Sequence, residues 1–210
     1  EKVLALAGKY PHVYAAIGVH PDEVGELNED KIQHMKELCC NKKVVAVGEI
    51  GLDYYWDNEP HEVQQKWFIR QLELAGEVKK PVIIHSREAA ADTMYIMKNY
   101  AQGLDGVIHC YSYSREMAEE YVKMGFYIGI GGVVTFKNAK KLKDVAAAIP
   151  IEKIVPETDC PYMAPEPYRG KRNQSSYIRY VAEKIAELKE MSQEEVIAVT
   201  EKNARDLYGI

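Results

Sequence analysis

Four residues with metal-binding side chains stand at or near the end of short apolar runs, namely Glu49, His85, His109 and Asp159. Divalent cations that activate water bind carboxylate oxygens and neutral imidazole nitrogens, and two ions about 3.5–4 Å apart are usually bridged by a carboxylate. Glu49 suits that bridge, and the two histidines suit a metal. Asp159 can bind a metal or accept the proton of the attacking water. The residue types therefore predict a metal-dependent hydrolytic site.

One such residue would carry little weight. A lone histidine at a strand end is more often a hydrogen-bonded structural residue, and a lone glutamate is often an ion-pair partner. Four of them on separate strands indicate an active site, because parallel strands bring their carboxyl ends to one edge of a sheet. In α/β folds the functional residues cluster at that edge.

Apolar runs of strand length and segments of helical periodicity position these residues. Strands are predicted at 13–19, 44–49, 82–85, 107–109, 126–131 and 154–159. Helices are predicted at about 1–9, 29–40, 63–78, 88–100, 117–124 and 138–148, followed by two closing helices. The last helix opens with the capping box Ser192-x-x-Glu195. This alternation predicts an α/β fold with a parallel sheet.

A closed (β/α) barrel has about eight strands, so the predicted set is about two strands short. Because the sequence begins inside a predicted helix, we expect a preceding strand to be missing. The 210 residues, 47% of them hydrophobic, are expected to form a single domain over 1–210, truncated at its N-terminus.

Composition excludes several classes of protein. We find neither an apolar stretch long enough to cross a bilayer nor a secretory signal pattern, so a cytoplasmic protein is expected. The four cysteines have neither zinc-type spacing nor a disulfide framework, which predicts reduced thiols. The net charge of −5 argues against a global basic field for nucleic acid. The one basic cluster, Tyr168–Asn173, is either a loop that holds phosphates through residues such as Arg172 or a solvated loop.

Longer motifs surround the four candidate ligands. They are GVHP at 18–21, GEIGLDY at 48–54, PVIIHSR at 81–87, GVIHCYS at 106–112, ETDCPY at 157–162, YRGKRN at 168–173 and NAR at 203–205. In this order and combination, the chain resembles the TatD family of metal-dependent DNases over nearly all of its length.

The resemblance implies a TIM barrel of the amidohydrolase type with one or two metal ions. It implies that Glu49 bridges the metals, that His85 and His109 bind them, and that Asp159 binds metal and activates water. The family opens with a strand carrying a His-x-His pair, and nothing like it precedes Glu1. We expect truncation rather than true loss, because every downstream ligand position is intact.

Other motif residues are predicted to support the site. His20 is expected to contact the substrate or to support a ligand, with a structural role as the alternative. Arg87 is expected to clamp a phosphate, with an ion pair to a nearby acid as the alternative. Tyr111 is expected to stack on a nucleobase, although tyrosine at a strand end is more often packing. Glu157, which lies on the same side of its strand as Asp159, is expected to support the metal ligands.

The predicted function is metal-dependent hydrolysis with magnesium, manganese or zinc. The resemblance implies that the enzyme is a 3′–5′ exodeoxyribonuclease acting on single-stranded DNA ends. No obligate protein partner and no membrane is expected. One alternative is an ester or amide hydrolase such as a D-aminoacyl-tRNA deacylase, because related barrels use the same activated water on other bonds. The other is a non-catalytic binding protein that retains the fold.

Overall fold

The computed structural model describes residues 2–56 and 58–210 and divides the chain into two compact units. The first unit runs to Gly106, and the second contains Val107–Tyr208. Each unit has its own parallel strands and helices. The prediction of one domain spanning both units stays a prediction.

The first unit alternates helices with three parallel strands. Its elements are α1 (Lys2–Lys9), β1 (Ala15–Ile17), α2 (Glu29–Leu38), β2 (Val44–Asp53), α3 (His61–Val78), β3 (Val82–Arg87) and α4 (Ala90–Tyr100), with a 3-10 helix at Pro21–Glu26. Strand β2 pairs in parallel with both β1 and β3. It is buried along almost its whole length, as is typical of a parallel strand covered by helices.

Helices α2 and α3 pack together through the apolar core of this unit. Ile32 and Met35, three residues apart on α2, meet Trp67 and Leu74, seven apart on α3. These spacings place each pair on one helix face, which explains why one stripe of each helix is buried.

Two buried glutamines of α3 form hydrogen bonds with the backbone N–H and carbonyl groups of Val19, which follows β1, and of Asp53, at the end of β2. The side chain of Gln71 accepts from the Val19 N–H (2.8 Å) and donates to the Val19 carbonyl (3.2 Å). Gln64 accepts from the Asp53 N–H (2.9 Å) and donates to the Asp53 carbonyl (3.0 Å). Because an unpaired buried backbone group is costly, these contacts hold the ends of both strands in place.

The second unit also has three parallel strands, of which the first, β4, begins at Gly106, the last residue before this unit. Its elements are β4 (Gly106–Ile108), α5 (Arg115–Lys123), β5 (Tyr127–Ile130), α6 (Lys140–Ala148), β6 (Ile154–Pro156), α7 (Ile178–Lys189) and α8 (Gln193–Tyr208), with 3-10 helices at Gly132–Thr135, Ile151–Lys153 and Ser175–Tyr177. Strand β5 pairs in parallel with β4 and β6.

Helix α8 is fixed at its start and in its middle. The Ser192 N–H donates to the Glu195 carboxylate (3.0 Å) and the Glu195 N–H donates to the Ser192 hydroxyl (3.2 Å), which confirms the predicted capping box. Buried Asn203 donates to the carbonyls of Ile151 and Ile154, both at 2.8 Å. The NAR motif thereby ties α8 to the start of β6.

The predicted strands are all present, with different ends. Strand β2 was predicted to end at 49 but continues to Asp53, because Gly51 and Asp53 pair with His85 and Arg87 of β3. Glu49 therefore lies inside its strand, and the prediction that it ends a strand was wrong. Within the described ranges, no helix is long and apolar enough to span a membrane.

Candidate metal centre

The first unit brings together one carboxylate and two imidazoles. Glu49 lies on β2, His85 on β3, and His20 follows β1 by three residues. One ligand atom from each side chain lies within 4.8 Å of the other two. Register creates this cluster, because parallel pairing of β2 with β3 brings two separate motifs to adjacent strands.

His85 is held between two carboxylates. Its Nδ1 lies 2.9 Å from Glu49 Oε1, and its Nε2 lies 2.9 Å from Asp53 Oδ2. Burial alone lowers the pKa of His85, but the hydrogen bonds and charges of Glu49 and Asp53 outweigh burial and raise the pKa overall. The ring orientation is therefore set by its partners, as is typical of histidines that bind metals.

His20 packs edge-on against the ring of His85, with ring centroids 4.4 Å apart. Its Nδ1 accepts from the Asp22 N–H at 3.3 Å. Burial, followed by the neighbouring charge of His85, lowers the pKa of His20. A lowered pKa keeps this imidazole neutral, which is the form that can donate a lone pair.

Glycines leave room for the functional side chains in both units. Gly51 has a φ of +147°, and a Cβ there would collide with the carbonyl oxygen of His85. A Cβ on Gly129 would collide with the carboxylate of Glu157. Position 51 therefore requires glycine on steric grounds, whereas a side chain at Gly129 would displace the Glu157 carboxylate.

The second unit contains an oriented histidine and two carboxylates. Glu157 Oε2 lies 2.8 Å from His109 Nδ1, and the Cys110 N–H donates to Glu157 Oε1 at 2.6 Å. On the other side of the ring, His109 Nε2 lies 3.5 Å from Asp159 Oδ1. Glu157 and Asp159 therefore flank the ring of His109 at its two nitrogens and orient it.

Asn173 organises the loop that carries Asp159. Its side-chain amide donates to the carbonyls of Thr158 (2.6 Å) and Tyr162 (2.7 Å), on either side of Asp159. Asn173 is buried, and Asp159 has a φ of +55°, in the left-handed region that few residue types tolerate. The hydrogen bonds of Asn173 therefore hold the loop on both sides of Asp159.

The donor atoms of the first unit suit a divalent cation. Two imidazole nitrogens and a carboxylate oxygen are a ligand set that zinc and manganese accept. A second group, formed by His20, Asp22 and Asp53, lies beside the first. Within the described residues, the Asp22 Oδ1 atom is buried and has no hydrogen-bond partner, which leaves one more oxygen for a cation.

The predicted site residues divide between the units. His20, Glu49, His85 and Arg87 belong to the first unit, and Tyr111, His109, Glu157, Asp159 and Arg172 belong to the second. The expectation that all four principal ligands meet at one mouth stays a prediction, as do the assigned roles.

The residues predicted to bind substrate differ in exposure. Arg87 and Arg172 are exposed. The ring of Tyr111, however, is only 2% exposed, and its hydroxyl donates to the Ser114 carbonyl at 2.6 Å. Stacking on a nucleobase does not fit a buried ring, so the packing alternative applies to Tyr111.

Two positioning residues, Asp53 and Asn173, received no role from the sequence. Both stand within motifs, Asp53 as the second-to-last residue of GEIGLDY and Asn173 as the last residue of YRGKRN. Asp53 is 1% exposed and Asn173 is 3% exposed. The sequence signal that could have indicated these roles is a short polar residue at the end of a strand or loop motif. The groups that such a residue contacts are known only from the folded chain.

Replacing Asp53 with asparagine should weaken metal binding by about 10- to 100-fold, as measured for other residues that support a metal ligand. The amide preserves volume but presents no charge to His85 Nε2. Metal affinity can be measured by competition with a chelating dye, with Asp30→Asn on the exposed face of α2 as the matched control. Equal affinity in the two variants would contradict the role of Asp53.

Comparison with known proteins places the chain in a family. The model of the family described as "TatD related DNase" matches residues 1–209. The uncharacterized metal-dependent hydrolase YabD of Bacillus subtilis is 47% identical over 100% of this chain and 82% of its own length. The uncharacterized metal-dependent hydrolase YcfH of Escherichia coli K12 is 40% identical over 98% of this chain and 77% of its own length.

A solved structure supports the same placement. The crystal structure of YjjV, a TatD homolog from Escherichia coli K12, superposes with a TM-score of 0.92 at 33% identity, covering 100% of this chain and 82% of that chain. This likeness confirms the predicted fold class, an α/β fold of the TIM-barrel type found in metal-dependent hydrolases. The chain therefore belongs to the TatD-related DNase family and is a metal-dependent hydrolase.

Proposed function

We propose that this protein is a deoxyribonuclease that removes nucleotides from the 3′ end of single-stranded DNA. The observation that carries the proposal is the cluster of His20, Glu49 and His85, whose ligand atoms lie within 4.8 Å of one another. When bound there, a divalent cation lowers the pKa of water and neutralises charge on a phosphodiester. The DNA substrate and the direction of digestion come from the family resemblance.

The side chains of the first unit prepare the ligand atoms. Glu49 and Asp53 fix the His85 ring from its two nitrogens, Nδ1 and Nε2, each at 2.9 Å, and a cation held by Glu49 and Nδ1 would replace the proton that these two groups share. Neutral His20 contributes a second imidazole. An orientation that is set before binding avoids the entropy cost of ordering these groups when a cation and substrate arrive.

In this proposal Asp159, which belongs to the second unit, is the proton acceptor, a role that comes from the family resemblance. Asp159 borders a cleft of about 570 Å³ that is also lined by Lys140, Lys141 and Met163. Such a volume suits a small organic group, and lysines favour phosphate. Water attacks phosphorus, Asp159 accepts the water proton, and the bond from phosphorus to the 3′ oxygen breaks. The leaving oxygen then takes up a proton.

The test is digestion of a 5′-labelled single-stranded oligonucleotide with manganese or magnesium. We expect a ladder of stepwise shortened, labelled products that disappears with chelator and returns when metal is restored. Immediate release of labelled mononucleotide would instead show digestion from the 5′ end.

A parallel reaction separates the proposal from its main alternative. A protein that binds metal but leaves DNA intact, while hydrolysing a D-aminoacyl ester of tRNA, would overturn the nuclease proposal. Metal-independent binding without turnover of either substrate would favour a non-catalytic protein.

A further inference from the structure

Two large aromatic side chains stand exposed immediately after β2. Tyr55 is 54% exposed and Trp56 is 57% exposed, and their rings meet edge to face with centroids 4.9 Å apart. The segment is nevertheless anchored, because the N–H groups of Tyr55 (2.9 Å) and Trp56 (3.4 Å) both donate to Asp53 Oδ1. Adjacent exposed aromatic rings on an anchored turn are characteristic of binding surfaces rather than of loose loops.

An arginine completes this surface. The guanidinium carbon of Arg87 lies 3.8 Å from the ring centroid of Tyr55 and 5.4 Å from that of Trp56. Arg87 is exposed. A guanidinium held over an aromatic ring is oriented by that ring and still has N–H donors that match the oxygens of a phosphate.

The neighbouring Tyr54 anchors the start of the turn. Its ring stacks on His61, with centroids 3.5 Å apart and planes 10° apart, and its hydroxyl donates to Asp92 at 2.8 Å. Burial raises the pKa of Tyr54 to about 12, so the hydroxyl remains a neutral donor. The ring and hydroxyl of Tyr54 thus both make contacts within the protein, whereas the rings of Tyr55 and Trp56 are exposed to solvent.

The surface is joined to the candidate metal ligands by short, rigid connections. Asp53, which anchors the turn, also holds His85 through Nε2 at 2.9 Å. Arg87 lies two residues after His85 on the same strand, and Asp53 pairs with Arg87 in the sheet register. A ligand on this surface is therefore held at a fixed distance from His85.

We propose that Tyr55, Trp56 and Arg87 form a binding surface for a single-stranded nucleic acid, in which the rings stack on a base and Arg87 binds a phosphate. This inference rests on the proposed function and names where its substrate is held. Stacking on bases is tolerant of sequence, and Arg87 supplies a local positive charge for the phosphate although the chain has a net charge of −5. The combination of exposed rings with one guanidinium matches the alternation of base and phosphate along a strand.

The kinetic test compares normal oligonucleotides with oligonucleotides that lack bases at the 3′ end. Trp56→Ala should raise KM for the normal strand by about 5- to 100-fold, the range for losing one stacked base, with kcat retained. On the abasic strand the variant and the unmodified protein should have the same KM. Trp56→Phe should restore most of the loss, because a flat ring is present again.

Tyr95→Ala is the matched control, since Tyr95 is 65% exposed on α4 of the same unit and lies outside this surface. It should leave KM unchanged on both strands. If Trp56→Ala raised KM equally for the normal and abasic strands, the cause would be a structural defect and the inference would be overturned. An unchanged KM on both strands would overturn it as well.

Fluorescence separates failure of this inference from failure of the proposed function. The chain has two tryptophans, and the other, Trp67, is 7% exposed in the core. In chelator, single-stranded DNA should quench emission in the unmodified protein but not in Trp56→Phe. Quenching without any cleavage when metal is added would retain the surface and reject the nuclease. If DNA is cleaved, but emission is not quenched and the Trp56→Ala variant has an unchanged KM, the nuclease proposal would stand and the binding surface would be rejected.

Discussion

Replacing Glu49 with glutamine should lower kcat/KM for metal-dependent hydrolysis by about 1,000-fold, because Lewis-acid stabilisation of the transition state is worth several kcal/mol. The carboxylate of Glu49 lies 2.9 Å from His85 Nδ1, and its side chain is 33% exposed. Glutamine has nearly the same size but lacks the charge that attracts a cation. The fold should therefore survive while metal binding is lost, which elemental analysis and steady-state kinetics would both detect.

Glu183→Gln, an equivalent change on the exposed face of α7, is the matched control and should leave activity unaltered. Thermal unfolding of both variants checks that the fold is retained. If Glu49→Gln kept full metal content and full activity, the first-unit cluster would not be the metal centre.

Replacing Asp159 with asparagine should lower kcat by about 100- to 10,000-fold, the usual contribution of a positioned general base. The carboxylate of Asp159 lies 3.5 Å from His109 Nε2 and borders the cleft of the second unit. Asparagine cannot accept a proton from water at neutral pH. Substrate affinity should change much less than kcat, so the measurement is kcat and KM determined separately for the labelled oligonucleotide.

The control for Asp159 is Asp206→Asn, which removes a surface carboxylate paired with Lys202 on α8. Surface pairs of this kind contribute little, so the control should behave as the unmodified protein. A variant at Asp159 with undiminished kcat would remove this residue from the reaction. Loss of bound metal in the variant would instead make Asp159 a ligand.

Local sequence signals determined much of the secondary structure. The Ser192–Glu195 capping box forms as predicted because it depends on groups three residues apart. Strand β2 was predicted too short because its last residues are stabilised by pairing with β3 and by Gln64, both distant in the chain. Where a strand ends is decided by its partners, and apolar periodicity alone does not contain them.

By itself, the sequence determined the α/β class, the family and the chemical types of the candidate ligands, because motifs and periodicity are written in consecutive residues. Only the tertiary structure decided that Asp53 forms a hydrogen bond with His85, that Asn173 holds the Asp159 loop through hydrogen bonds, and that Tyr111 is buried. It also decided that Tyr55 and Trp56 stand exposed beside Arg87. These features share one physical reason. Burial and hydrogen bonding depend on pairs of residues that strand register and loop closure bring together. Neither can therefore be inferred from the type of a single residue.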